Sequence, residues 1–482
     1  MPAGLLDRYR SSRRLMREWD PRRLTTASAT PRWFVAGVVA LFAAITAFVA
    51  VHHEPWRDEA DAWLVVRDID FTHLFDWSRH AGTPLLWYGF IAPLARAGLP
   101  YASQQWLHLG VAVGAIAIVV AYAPLSRLTK VLATFSYFSA YEYSIIVRSY
   151  ALAILLIFAA AALWPRRAER PIGLAIVLAL LCNTNAQGFV VAGAFAVALL
   201  AERAIRPSAI IAIGALVAWW QVRTPPDPAR EGARHVFNAI AIPWTLGNAF
   251  APTLPLAAGC AIGILVLVVV TLAIRRSRSA LIVMWVATAA LFTLYSYVWL
   301  GGLRHAGFLL VITLVALWLG ARDADLRFTS AAALLLNGAL LISVCVAARY
   351  WIDDTREAFS GAKEMAGFIH DHHLESAEIA AHNLTQCEAL LPYLPRTRFW
   401  YAGLGEYGTY LKWDAAQERA LEMPYPVAEE RAKRQFAGRE WLLLFNVEIP
   451  DAERHGFKLL YTNQQAIFEK TDERYWLYAP AR

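Results

Sequence analysis

The chain has 482 residues, of which 58% are hydrophobic and only 17% charged, with a formal net charge of +7. Soluble globular domains carry about 25% charged residues, so a wholly soluble protein is excluded; the deficit concentrates between Ala92 and Tyr350. The positive balance gives no sign of nucleic acid: the arginines sit in short links between apolar runs, as in cytoplasmic loops, and no basic face carries interleaved aromatics. The four cysteines (Cys182, Cys260, Cys345, Cys387) include no CxxC and no spaced Cys/His set, which argues against zinc and against a disulfide framework.

In chain order, residues 1–32 carry eight arginines against three acids and read as a basic cytoplasmic N-terminus. The run Trp33–Val51 is followed by HHEPW, a poor cleavage site, so it reads as an uncleaved first span. Ten further runs approach the roughly 20 apolar residues a bilayer requires: Gln104–Ala123, Leu128–Ser144, Arg148–Trp164, Pro171–Thr184, Ala186–Ala201, Pro207–Val222, Leu254–Ile274, Ser279–Trp299, Leu303–Gly320 and Phe328–Ala348. A shorter run, Pro84–Leu99, contains Pro93 and Arg96. If it is short or re-entrant, the loops with Arg127/Lys130, Arg166/Arg167/Arg170, Arg203/Arg206, Arg275/Arg276/Arg278 and Arg322/Arg327 all fall inside, as the positive-inside rule demands. The same parity places Arg148, Arg223–Phe250, Arg304-His305 and everything after Ala348 on the outer face, with the loop 52–83.

Residues 349–482 change composition and contain no spanning run. Helical spacing over Glu357–His370 and short strands at Ala377–Ala381, Arg398–Tyr401, Trp441–Asn446, Leu459–Tyr461 and Ala466–Glu469 predict a soluble α/β domain. It has no GxGxxG and no P-loop. The expected architecture is therefore a polytopic α-helical membrane protein of about 11–13 spans, residues 33–348, carrying a C-terminal α/β domain.

The stretch His52–Tyr88 concentrates the polar chemistry: seven carboxylates, four histidines and four tryptophans. In Arg57-Asp58-Glu59 the acids suit the first turn of an interfacial helix, and they also suit acid/base work on a hydroxyl. On a helix Asp58 and Asp61 share one face, while Glu59, Ala62, Trp63 and Val66 share another, so the two adjacent acids need not do the same job. Arg148-Ser149-Tyr150 reads either as an interfacial anchor or as a phosphate contact. Gly301-Gly302-Leu303-Arg304-His305 puts two cations at a helix N-terminus, a good anion site. His52, His53, His73 and His80 with Asp58 and Glu59 leave a divalent metal open, without a spacing that demands one. Asn183-Thr184-Asn185 reads as a turn between two helices.

Together these pieces resemble the GT-C membrane glycosyltransferases, nearest the protein mannosyltransferase and aminoarabinose transferase type. The resemblance rests on the Asp58-Glu59 pair soon after the first span, the segment Thr83-Pro84-Leu85-Leu86-Trp87-Tyr88, the Arg-Ser-Tyr-Ala-Leu at Arg148–Leu152, and the outer Arg304-His305. It covers roughly Trp33 to Ala348; Arg57 and Thr83 depart from the usual pattern. It implies inverting transfer of a hexose or pentose from a polyprenyl-phosphate sugar, on the outer face, to a glycolipid, polysaccharide or protein. It also implies a bacterial inner or plasma membrane location, Asp58 as general base with Glu59 beside it, and Arg148, Arg304 and His305 near the donor phosphate. Arg57, His53 and Thr83 are then the substrate-facing loop positions, with no metal ligand assigned. The competing expectation is a transporter or flippase of a lipid-linked precursor, which would place ionisable groups at mid-membrane and repeat its halves.

Overall fold

The computed structural model describes residues 18–25, 29–224, 237–323, 326 and 328–481. Most of the basic N-terminus (1–17 and 26–28), part of the Arg223–Phe250 loop (225–236) and Arg327 lie outside the described residues. In chain order come α1 (Arg32–His52), α2 (Arg57–Asp68), α3 (Phe71–Ala81), α4 (Leu86–Arg96), α5 (Ser103–Tyr122), α6 (Arg127–Thr134), α7 (Tyr150–Leu163), α8 (Pro171–Cys182), α9 (Ala186–Ala201), α10 (Ile205–Val222), α11 (Ala241–Phe250), α12 (Leu256–Ile274), α13 (Arg278–Tyr297), α14 (Leu303–Asp323) and α15 (Ser330–Arg356). Seven of them, α1, α5, α10, α12, α13, α14 and α15, are long and apolar enough to cross a membrane, and α7, α8 and α9 are shorter apolar helices. The molecule is a polytopic helical membrane protein.

Ten of the eleven predicted spans are single helices. The exception is Leu128–Ser144, which breaks after α6 into a turn and a five-residue π-helix, Phe138–Glu142. Its hydroxyl side chains explain the break. Ser136 Oγ donates back to Ala133 O at 2.8 Å, and Tyr137 N donates to Ser343 Oγ of α15 at 3.0 Å rather than to its own helix. Such irregular backbone survives at membrane depth because it is buried in protein. The two ends of the segment nonetheless lie near opposite ends of α1. Arg127 pairs with Glu18 and lies over Trp33 and Phe34 at the start of α1, whereas Val147 N bonds Glu59, just past the end of α1.

Helix α4 does not cross. Its 11 residues span only about 16 Å. Arg96 at its end donates to Val66 O and Ile69 O, capping α2. The next helix begins beside α2 as well, where Gln104 Nε2 donates to Glu59 O. The helix in Pro84–Leu99 is thus short, as expected, and α2 lies in contact with Arg148, Arg304 and the C-terminal domain.

Most spans bury only part of their surface, but α14 is buried on all sides from His305 to Gly320. A helix apolar all round belongs in the middle of a bundle, and α14 thereby carries Arg304 and His305 to the centre of the structure. Small residues let neighbours approach: a Cβ on Gly307 would meet Phe138 and the Tyr143 hydroxyl at about 2.5 Å.

Helix α15 has 27 residues and runs to Arg356 rather than stopping near Ala348, so the expected boundary at 348/349 falls inside a helix. Beyond it come α16 (Ala362–Asp371), β1 (Glu378–His382), α17 (Leu384–Cys387), β2 (Phe399–Tyr401), β3 (Glu406–Gly408), α18 (Ala415–Leu421), α19 (Tyr425–Gln435), β4 (Trp441–Phe445), β5 (Phe457–Thr462) and β6 (Trp476–Pro480). One mixed sheet orders them β3-β2-β1-β4-β6-β5, with β1 parallel to β2 and β4 at its centre. This is the α/β domain expected, with four departures. The helix expected over Glu357–His370 begins only at Ala362. Ala466–Glu469 forms only one isolated bridge, Ala358 to Ile467, and β3 and β6 went unforeseen.

Helix α2 joins the two parts. Ala60 and Leu64 pack into the core of the C-terminal domain with Met365, Ile369, Leu390 and Leu391. Ala62, Trp63, Val65 and Val66 pack on the other side with Trp77, Trp87, Ile91 and Val147.

Candidate active site

Helix α2 starts where Pro55 has interrupted the chain after α1. Trp56 is extended, and Trp56 N donates to Glu59 Oε2 at 3.2 Å, closing the first turn. Asp58 and Glu59 occupy that turn, but the structure separates them. Asp58 Oδ2 lies 3.1 Å from Arg148 Nη1 and 3.0 Å from Arg304 Nη2. Arg148 also donates to the main-chain oxygen of Asp58 at 2.7 Å. Burial works against ionisation of Asp58, but Arg148, Arg304, Arg57 and Lys470 outweigh it and hold the carboxyl below its ordinary range. Three residues far apart in sequence, expected at one site, meet there.

Glu59 points elsewhere and is fully enclosed. Its Oε1 accepts from Val147 N at 2.6 Å and its Oε2 lies 3.1 Å from His53 Nε2. His53, expected to face substrate, is buried: its Nδ1 contacts Asp354 Oδ2 at 2.8 Å, and Tyr141 hydroxyl donates to the same oxygen at 3.0 Å. The Asp354–His53–Glu59 chain ties the end of α15 to the residue beside Arg148. His305 is likewise engaged on both ring nitrogens. Gly302 N donates to Nδ1 at 2.8 Å, which leaves the proton on Nε2 to donate to the Tyr150 hydroxyl at 2.8 Å. His305 thus caps its own helix rather than offering a free N–H.

The C-terminal domain reaches into the site. Arg57 pairs with Asp472 and its backbone N donates to Glu473 Oε1 at 3.2 Å. Lys470 Nζ and Arg304 lie 4.2 and 5.3 Å from the Trp56 ring centroid. Nothing in the sequence around Glu388, Lys470 or Glu473 singled them out.

Among the described residues, two polar cavities adjoin this cluster and an apolar one lies close by. A polar pocket of roughly 210 Å³ is lined by Arg57, Asp58, Asp61, Trp77, Ala81, Thr83, Tyr88, Arg148, Thr385, Glu388, Leu411 and Trp413. A second, of roughly 160 Å³, lies beyond Arg304 and includes Trp56, Glu142, Tyr350, Glu469 and Lys470. The third, of roughly 420 Å³, is almost wholly apolar and lies between α8–α10 and α13, lined among others by Gly82, Pro84, Phe189, Trp219, Ala290, Leu294 and Val298. The chain Ala81–Pro84 divides the first from the third: Ala81 and Thr83 face the polar pocket, Gly82 and Pro84 the apolar cavity. Gly82 makes this turn in the left-handed conformation (φ 64°), ending α3 before Pro84. Leu85 N and Asn183 both hold Gln221, and Asn185 caps α9 through Gly188 N while donating to Ser149 Oγ. The Asn183–Asn185 stretch is the turn expected, and its Asn185 also lines the apolar cavity.

Among the described residues, no group of three or more His, Cys, Asp or Glu side chains is arranged to hold a metal. His52 bonds Phe48 O and His73 contacts Thr72, so these loop histidines do not converge.

No protein-family model matches the chain, and comparison with curated proteins finds no relative. Among solved structures it is similar to ArnT from Cupriavidus metallidurans, in the apo state (14% identity) and bound to undecaprenyl phosphate (15% identity). Each comparison has a TM-score of 0.53 and covers 92% of this chain and 98% of the other. That coverage exceeds residues 33–348 and so extends the likeness into the C-terminal domain. At this identity the likeness is one of fold.

Proposed function

We propose that this chain is a membrane glycosyltransferase that moves a sugar from a polyprenyl-phosphate carrier to an acceptor on the extracytoplasmic face, with inversion at the anomeric carbon. One observation carries the reading: Asp58, Arg148 and Arg304 converge beside a polar pocket that a single turn, Ala81–Pro84, separates from an apolar cavity. An amphipathic donor matches this division, with its prenyl chain in the cavity, its phosphate at the arginines and its sugar in the pocket. The fold shared with a protein crystallised with undecaprenyl phosphate supports the same class of carrier.

In the structure Asp58 pairs with both arginines and leaves the trio with a net positive charge. A donor phosphate competes for them, and a carboxylate that loses its cationic partners becomes more basic. The acceptor oxygen bonds the anomeric carbon from the side opposite the phosphate. The carbon–oxygen bond to phosphate breaks with its electron pair going to the lipid phosphate, whose charge the arginines stabilise. The hydroxyl proton goes to Asp58. Arg57 and Thr83 line the sugar's pocket, while Glu59, His53 and His305 act as positioning residues. The acceptor is a glycolipid, polysaccharide or protein of a bacterial envelope, and the donor sugar a hexose or pentose.

The test is transfer of label from undecaprenyl-phosphate sugars in membranes. Asp58→Asn lowers kcat by roughly a hundredfold to ten-thousandfold, and Arg304→Ala weakens donor binding. Wild-type transfer by Asp58→Asn refutes the role of Asp58; a wild-type protein that neither binds nor consumes any polyprenyl-phosphate sugar refutes the function.

A further inference from the structure

The polar pocket holds two carboxyls that the reaction above does not use. Glu388 follows α17 in the C-terminal domain and is 1% exposed. Asp61 lies one turn after Asp58 on α2. Both line the pocket, and neither Glu388 Oε2 nor Asp61 Oδ1 has a hydrogen-bond partner among the described residues. Leaving a buried polar atom unpaired costs about 1–3 kcal/mol, so two in one pocket point to a ligand that satisfies them.

Burial raises the Asp61 carboxyl to about 7; Arg148 opposes that rise, Asp58 adds to it, and a hydrogen bond with Trp413 opposes it and leaves Oδ1 as the unpartnered oxygen. Burial, then Asp61 and Asp58, push Glu388 well above the usual carboxylate range. Both carboxyls are thus biased toward the protonated form, in which a carboxyl donates as well as accepts. Sugar hydroxyls, which also donate and accept, complement such a pair better than an anion or a hydrocarbon. Trp77, Tyr88 and Trp413 supply the aromatic wall that the apolar face of a sugar ring packs against. The pocket adjoins Arg148 and Asp58, so a sugar whose phosphate rests on Arg148 enters it directly.

We propose that Asp61 and Glu388 form the hydroxyl-recognition subsite for the transferred sugar, so that the C-terminal domain completes donor selection; this rests on the glycosyltransferase reading. The full chain in nanodiscs is titrated with undecaprenyl phosphate and with undecaprenyl-phosphate glucose, mannose and arabinose, following quenching of the pocket tryptophans. Wild type binds at least one sugar lipid more tightly than the bare lipid. Glu388→Met lowers that sugar-dependent gain by roughly tenfold and leaves bare-lipid affinity unchanged, and Asp61→Leu does the same. Glu388→Gln, neutral and able to donate and accept, keeps most of the gain. Equal loss for bare and sugar-bearing lipid in both apolar variants, no loss in either, or no sugar-dependent gain in wild type overturns the subsite. Failure of wild type to bind even bare undecaprenyl phosphate overturns the glycosyltransferase reading itself, and the subsite with it.

Discussion

Replacing His53 by alanine tests the brace behind the candidate site. The imidazole lies 2.8 Å from Asp354 and 3.1 Å from Glu59, and all three side chains are shut off from solvent. Burial works against a charged ring, but Asp354 and Glu59 prevail and push its pKa up to about 10. At neutral pH the ring is thus a cation between two carboxylates. Alanine leaves both acids buried without a counter-charge, a change that costs about 3–5 kcal/mol. Two bonds remain, Val147 N to Glu59 and Tyr141 hydroxyl to Asp354, so the fold weakens rather than collapses. The assay is reversible unfolding in mixed micelles. Because the groups touch, His53→Ala costs about 1 kcal/mol less when made on Asp354→Asn than on wild type. The pH dependence has a fixed sign. A pKa raised from 6.5 to about 10 contributes stability that is complete below 6.5 and lost as pH climbs through 10. The gap between wild type and His53→Ala therefore narrows from pH 7 to 10. A loss under about 1 kcal/mol, strict additivity with Asp354→Asn, or a gap that widens with pH refutes the account.

Filling the apolar cavity with Ala290→Trp raises KM for a full-length polyprenyl donor by roughly tenfold, against a smaller rise for a short-chain donor, in the transfer assay. Equal effects on both chains exclude the cavity as the lipid site. His305→Ala removes the acceptor for Gly302 N and the partner of the Tyr150 hydroxyl, costing about 1–3 kcal/mol in the micelle titration. Its kcat falls far less than that of Asp58→Asn; a comparable fall assigns His305 to the chemistry. Asp61→Asn stabilises the protein above pH 7. A carboxyl raised from 3.8 to about 7 contributes stability that is present below 3.8 and lost as pH rises through 7, so the advantage of asparagine vanishes as pH falls toward 4. An advantage independent of pH refutes the environment assigned to Asp61.

The membrane half was legible because a bilayer demands long apolar runs, and ten of eleven such runs are single helices. Leu128–Ser144 misled because hydropathy sees its leucines and tyrosines but not the hydroxyls of Ser136 and Ser343 that take over the backbone bonding. In the C-terminal domain, β4 was plain from an apolar run buried on both faces, whereas β3 is a three-residue edge strand with an exposed start and carries no such signal. Asp58 stood out by its place just after the first span. Its neighbour Glu59 falls on a different helix face, so the two acids need not do the same job, but only packing shows which of them meets two arginines and which braces the loop.

The residues that remained hidden share one property: their surroundings are built from distant chain. Asp354 lies 301 residues from His53, and Asp472 lies 415 from Arg57. What brings them together is the double burial of α2. Its Ala60 and Leu64 belong to the core of the C-terminal domain, and its Ala62, Trp63 and Val66 to the cluster on the membrane side. The strip left between these faces carries Asp58 and Asp61. The two carboxyls thus sit where the C-terminal domain meets the membrane half, with Asp58 on Arg148 and Arg304. A strip that enters neither core can keep its charges, which is why this short helix of mixed polarity carries more charged residues than any span in the chain.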